Sequence, residues 1–203
     1  GQVQSPTLAD GTVYIGNFSQ TLFAVDAAAG TERWRTEVDA EYFVTLETAV
    51  GDGAVYAGAN GDLRAFETVD GSQRWRVPAE EQRVVQSSPA VSDGRVFVNM
   101  GGSIRAFDSG DGSERWSRTT GGSHHPPAVH DGTVYAPGDG TLYAFDDDGT
   151  ERWRTGVVDD LMLAVGDGTV FGMGYDTPVL ALDPSDGSVL WRYGDFRGTT
   201  SPA

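Results

Sequence analysis

The residues best suited to chemistry are three histidines and a few crowded carboxylates. His124 and His125 are adjacent, and His130 follows closely. Imidazole nitrogens are common metal ligands, so this grouping raises the question of a metal site. Adjacent residues on a strand point to opposite faces, however, and the pair would not chelate together from an extended segment. His130 precedes an Asp-Gly turn and is expected to face water. The run Asp146-Asp147-Asp148-Gly149 has the look of a calcium loop. It lacks the spaced ligands and terminal Glu of an EF-hand, and an ordinary acidic turn is the simpler reading. Tyr42 and Glu47 could build a polar ligand site, although a solvated lining explains them as well. No Gly-x-Ser-x-Gly, phosphate-binding loop or zincin motif is present. With no Cys in the chain, thiolate metal sites, Cys nucleophiles and disulfide scaffolds fall away. No catalytic, cofactor-binding or metal-binding residue is therefore assigned.

Composition narrows the partners. The 203 residues carry 30 acidic and 14 basic side chains, a formal charge of -16. Such a surface repels a phosphate backbone, so nucleic acid is not an expected ligand. No apolar run approaches the roughly 18 residues that a membrane span requires. Every basic residue is Arg, and of the acids 21 are Asp and 9 are Glu. Dense, well-hydrated carboxylates without Lys suit solubility where salt screens ordinary repulsion, and the composition reads as that of an extreme halophile.

The elements that position these residues follow from an internal repeat. Trp34, Trp75, Trp116, Trp153 and Trp191 are spaced by 41, 41, 37 and 38 residues. The pairs Asp10-Gly11, Asp52-Gly53, Asp93-Gly94, Asp131-Gly132 and Asp167-Gly168 keep step with them. In the first copy, Asp10-Gly11 joins a short extended segment to the alternating strand TVYIG. The strand LFAVD follows, then a turn ending at Gly30, then ERWRT. Asp-Gly between two β-rich runs is a strong hairpin signal, because Gly supplies the positive φ. Gly30, Gly71, Gly112, Gly149 and Gly187 mark the next hairpin for the same reason. No window carries a helical period.

Each unit is thus four short antiparallel strands in about 40 residues. Such a sheet has two apolar faces and cannot bury both alone; stacking copies around an axis buries them. The expected fold is an all-β propeller spanning 1–203 as one domain. Its blades are expected at about 3–36, 44–77, 85–118, 124–155 and 161–193, with 199–203 starting a sixth. A linear β-solenoid is the weaker alternative, since its coils are shorter and lack a hairpin at every connection. Six inner-strand segments do not fit a closed ring of five, so the blades are expected to form an arc of a larger ring of seven or eight.

The third and fourth strands share one pattern, Ala, then an acid two residues on, then Gly, then Trp. It reads AVDAAAGTERW at 24–34, AFETVDGSQRW at 65–75, AFDSGDGSERW at 106–116, AFDDDGTERW at 144–153 and ALDPSDGSVLW at 181–191. This resembles the tryptophan-docking motif of the PQQ-repeat, quinoprotein-like propellers. The fourth copy is one residue short in the turn, and Glu67 stands where the others have Asp. The resemblance implies that the five Trp and five Gly are structural: each indole lies over the Gly turn of a neighbouring blade. The acid is expected to accept hydrogen bonds from the turn it precedes, and each indole N–H to reach a backbone carbonyl.

The resembling family includes PQQ-dependent alcohol dehydrogenases, BamB-type outer-membrane assembly lipoproteins and sensor domains of membrane kinases. The dehydrogenases hold PQQ with calcium, many of them against a disulfide that this chain cannot form. The resemblance therefore implies a non-catalytic scaffold for a protein or peptide partner, outside the cytoplasm, in a soluble domain tethered to a membrane beyond these residues. A fragment of a PQQ-dependent dehydrogenase, with PQQ and calcium, is the enzymatic alternative; a sensor domain of a membrane receptor is another. Contacts with a ligand are expected where the copies differ, near the axis and rim: Tyr42, Glu47, Arg83, His124, His125 and Asp160.

Overall fold

The computed structural model describes residues 6–17, 19–38, 48–59, 61–79, 85, 87–157, 161–174 and 178–194. Twenty strands form five antiparallel sheets of four, each sheet ordered as the chain runs. Blade 1 comprises β1 (Thr7–Ala9), β2 (Thr12–Gly16), β3 (Thr21–Asp26) and β4 (Glu32–Glu37). Blade 2 comprises β5 (Thr48–Gly51), β6 (Ala54–Ala59), β7 (Asp62–Glu67) and β8 (Gln73–Val77). Blade 3 comprises β9 (Ala90–Ser92), β10 (Arg95–Met100), β11 (Ser103–Asp108) and β12 (Glu114–Thr119). Blade 4 comprises β13 (Ala128–His130), β14 (Thr133–Gly138), β15 (Thr141–Asp146) and β16 (Glu151–Gly156). Blade 5 comprises β17 (Met162–Gly166), β18 (Thr169–Met173), β19 (Val179–Leu182) and β20 (Val189–Tyr193).

Turn chemistry builds these sheets. The Asp-Gly hairpins put both central residues at positive φ, 45° at Asp10 and 68° at Gly11, which matches the twist of the flanking strands. In the turn from β3 to β4, Asp26 Oδ1 accepts the amides of Ala28 (3.0 Å) and Ala29 (2.8 Å). Asp108 and Asp183 hold the corresponding turns of blades 3 and 5 in the same way. In every blade the register between the third and fourth strands slips by a bulge directly after the repeated Ala, which leaves that Ala opposite the Trp.

Alternation along the strands sends side chains to the two faces of each blade. One face meets the blade that follows: Tyr14, Leu22, Ala24 and Trp34 of blade 1 pack with Val55, Ala57 and Phe66 of blade 2. The other face meets the blade before. Three further clusters repeat this arrangement between blades 2 and 3, 3 and 4, and 4 and 5. Among the described residues no such cluster joins blade 5 to blade 1, so the series is open there.

Candidate functional site

The repeated residues meet at the blade junctions. Trp34 Nε1 donates to the Thr68 carbonyl at 2.8 Å, Trp75 to Ser109 at 2.9 Å, Trp116 to Asp147 at 2.7 Å and Trp153 to Pro184 at 2.8 Å. Each indole ring lies against the left-handed glycine of the next blade. A Cβ built on Gly71 would come within 2.5 Å of the Trp34 ring, and one on Gly112, Gly149 or Gly187 would strike Trp75, Trp116 or Trp153 as closely. Only glycine fits there, for want of space as well as for its φ. The four indoles are 8% exposed.

Trp191 and Gly30 depart from the expected role. Trp191 is 47% exposed, and its Nε1 meets no acceptor among the described residues. Gly30 is exposed, with no atom within 4 Å of its would-be Cβ. The reason is positional: Trp191 sits on the outward face of blade 5 and Gly30 on that of blade 1. The Trp191 face also presents Met173 and Tyr193, at 40% and 71% exposure. A shallow pocket on that face is lined by Val179, Trp191, Arg192 and Tyr193.

Near the axis lies a cavity of about 400 Å³ to which all five blades contribute. Its hydrogen-bonding groups are Thr7, Thr48, Ser88, His124 and His125; Met162 is among its apolar lining residues. Thr7 Oγ1 donates to the Thr48 carbonyl at 2.8 Å, tying blades 1 and 2 together at the wall. Residues 124 and 125 form a bend rather than the expected strand, and both line the cavity. The bend is fixed from two sides. Ser123 Oγ accepts the His125 amide (3.0 Å), and Asn99 Nδ2 donates to the His125 carbonyl (2.8 Å). His130, on β13, is half-buried with Asp131 at 3.5 Å. Among the described residues no three His, Asp or Glu are placed to share a metal. Tyr42, Glu47, Arg83 and Asp160 lie outside the described residues.

Two polar features escaped the sequence reading. Asn99 is fully buried, and its Oδ1 has no hydrogen-bond partner among the described residues. The signal was available, because Asn99 replaces the Gly16, Gly58, Pro137 and Met173 of the other copies. The second is Asp62, 2% exposed, which collects Arg64 at 2.9 Å, Arg76 at 2.6 Å and the Ala79 amide at 2.6 Å. Nothing in the repeat marks Asp62 as buried; the third strands of blades 1, 3 and 4 begin with Thr21, Ser103 and Thr141.

At the rim, Arg33 pairs with Asp26, Arg74 with Glu67, Arg115 with Asp108 and Arg152 with Asp146. The Arg33 guanidinium, aided by the Ala29 and Ala28 amides, lowers the Asp26 pKa to about 2. Arg115 and the Gly110 amide pull Asp108 down likewise, and Arg74 does so for Glu67. These carboxylates are turn braces, ionised at neutral pH and poorly suited to proton transfer.

The family model of the outer membrane protein assembly factor BamB matches residues 1–120 and 100–201. No curated protein matches by sequence. Among solved structures, BamB from Moraxella catarrhalis superposes with a TM-score of 0.76 at 23% identity, over 91% of this chain and 61% of that one. The quinohemoprotein alcohol dehydrogenase ADHIIG from Pseudomonas putida HK5 superposes at 0.78 with 20% identity, over 93% of this chain and 41% of that one. The computationally designed Ika8 protein gives 0.81 at 18% identity, over 94% and 61%. This chain thus spans less than two thirds of each, and at these identities the likeness is one of fold.

Proposed function

The chain belongs to the family of the outer membrane protein assembly factor BamB, and from that premise we propose that it is a non-catalytic scaffold binding a protein or peptide partner. The observation that carries this reading is the make-up of the axial cavity. Hydroxyls and imidazoles alternate there with Met162, Leu163, Pro6 and Pro126. Such a lining suits a peptide segment, which offers backbone hydrogen-bonding groups and apolar side chains together. The family's name ties it to outer-membrane assembly, and on that ground we place the chain outside the cytoplasm. The Asp-rich, Lys-free composition supports a high-salt setting.

The dehydrogenase neighbours suggest PQQ with calcium as an alternative, and the described residues do not fit it. An anionic quinone needs cationic or amide donors, and calcium needs carboxylate or carbonyl oxygens. The described lining of the cavity holds no Arg, Asp or Glu. Two measurements test the proposal. A native pull-down from the source cell in molar potassium chloride should capture a partner that Met162→Arg loses. Absorbance titration with PQQ and calcium should show no tight binding; calcium-dependent affinity in the micromolar range or better would overturn the scaffold reading in favour of the dehydrogenase.

A further inference from the structure

We propose that Asn17 is the attachment site of an N-linked glycan. The inference uses residues that the partner-binding reading leaves idle, and it rests on the placing of the chain outside the cytoplasm, where such glycans are added. Asn17-Phe18-Ser19 is an Asn-x-Ser acceptor sequence, with Phe rather than Pro in the middle. The other two Asn, Asn60 and Asn99, have no Ser or Thr two residues on. The sequence stands where blade 1 breaks the repeat. Gly58 pairs with Leu63, Asn99 with Ile104 and Pro137 with Leu142, each five residues on, whereas Gly16 pairs with Leu22, six on. The turn between β2 and β3 is thus one residue longer than those of blades 2, 3 and 4. Those three enter the third strand from a left-handed glycine, Gly61, Gly102 or Gly140; blade 1 enters it from Gln20, at φ of 62°.

Asn17 shapes this longer turn. Its Oδ1 accepts the amides of Ser19 (2.9 Å) and Thr21 (3.0 Å), and its backbone carbonyl accepts the Gln20 amide (3.1 Å). The carboxamide is thereby held through its oxygen, and its Nδ2 donates no hydrogen bond among the described residues. Turn-making accounts for Asn17 but not for Ser19, which is exposed and whose hydroxyl has no hydrogen-bond partner among the described residues. The acceptor sequence accounts for both, since the Asn supplies the nitrogen and the hydroxyl two residues on is what a transferase reads. The turn lies outside the four junction clusters, so a bulky, hydrated substituent there leaves the blade packing intact. The donor is an oligosaccharide carried through its anomeric carbon on a lipid phosphate or diphosphate. Nδ2 attacks that carbon: the N–C bond forms, the C–O bond to phosphate breaks, and the phosphate leaves with the bonding pair. A proton passes from Nδ2 to a base of the transferase, and nothing is oxidised or reduced.

The test is tandem mass spectrometry of the tryptic peptide ending at Arg33, from protein made in the source cell. The wild type should carry a mass increment of sugar units on Asn17. Asn17→Gln should lose the increment entirely. Ser19→Ala should lose it too, and it is the sharper variant, because the turn uses only the Ser19 amide and carbonyl, which Ala keeps. Ser19→Thr, which keeps a hydroxyl at that place, should retain the increment. Should Asn17→Gln fail to fold, Ser19→Ala decides alone. Fractionation of the same cells locates the protein. An unmodified Asn17 in protein recovered from outside the membrane overturns the assignment and leaves the location standing. Unmodified protein confined to the cytoplasm overturns the location, and the assignment with it. An increment that survives in Ser19→Ala overturns the assignment as well.

Discussion

Replacing Trp116 and Trp191 by Ala compares the same residue in a made and an unmade junction. An aromatic side chain buries about 150–250 Å², worth roughly 4–6 kcal/mol at about 25 cal/mol/Å² as an upper bound. Trp116 is 8% exposed and keeps nearly all of this. It touches Phe97 at 5.9 Å and Phe145 at 6.0 Å, and its N–H holds the Asp147 carbonyl. With a net hydrogen bond of about 1 kcal/mol and partial collapse of the cavity, Trp116→Ala should cost about 3–5 kcal/mol. Trp191, 47% exposed and without an acceptor among the described residues, keeps about half the area and no such bond. Its removal should cost about 1–2 kcal/mol. For a chain of this length each kcal/mol moves the thermal midpoint by about 2–4 °C. Differential scanning calorimetry should therefore show a drop on the order of 10 °C for Trp116→Ala and on the order of 4 °C for Trp191→Ala. Equal drops would refute the claim that the indole acts through the junction rather than within its own blade.

Three further outcomes follow from the same structure. Asp62→Ala should destabilise by about 3–5 kcal/mol in chemical denaturation, because it removes the buried carboxylate that Arg64, Arg76 and the Ala79 amide share; a loss under about 1 kcal/mol would show that water reaches the cluster. Asp26, Glu67, Asp108 and Asp183 all have folded-state pKa values below their ordinary ones. Their contribution is complete above the unfolded pKa of about 4 and is lost as pH falls through the folded value, about 2 for Asp26. Stability should thus decline between pH 4 and 2 in acid titrations followed by circular dichroism, and Arg33→Gln should move the onset to higher pH; an unchanged onset would remove Arg33 as the cause. Finally, with 30 acids against 14 Arg, the thermal midpoint should rise from dilute buffer to molar potassium chloride, and a flat response would sink the high-salt reading.

The fold was legible because its signals are local and repeated. Asp10-Gly11 and its four counterparts announce a turn that demands positive φ twice, and all five Asp take it. The acid before the second turn reads as a brace, and the Asp26, Asp108 and Asp183 carboxylates brace it. Less of the site could be read. The expectation for His124 and His125 assumed a strand, whereas they form a bend whose His125 carbonyl is held by a side chain far along the chain, Asn99. Asp62 escaped for a related reason: its burial depends on Arg76 from the neighbouring strand and on the Ala79 amide beyond it.

The division between repeated and unrepeated positions bears on function. Trp, Gly and the turn acids recur because each junction needs them, and their hydrogen-bonding capacity is spent within the fold. What a partner can meet is left to positions that the repeat does not fix. Thr48, His124, His125 and Met162 stand where the copies differ, and the axis gathers them with Thr7 and Ser88 into one cavity. The same logic separates Trp191 from the other four. Its identity is dictated by the repeat, but its neighbour is not, so a residue that elsewhere only holds blades together becomes surface at blade 5. Among the described residues that indole stays half exposed beside Tyr193 and Met173, whereas its four counterparts lie against a glycine of the next blade.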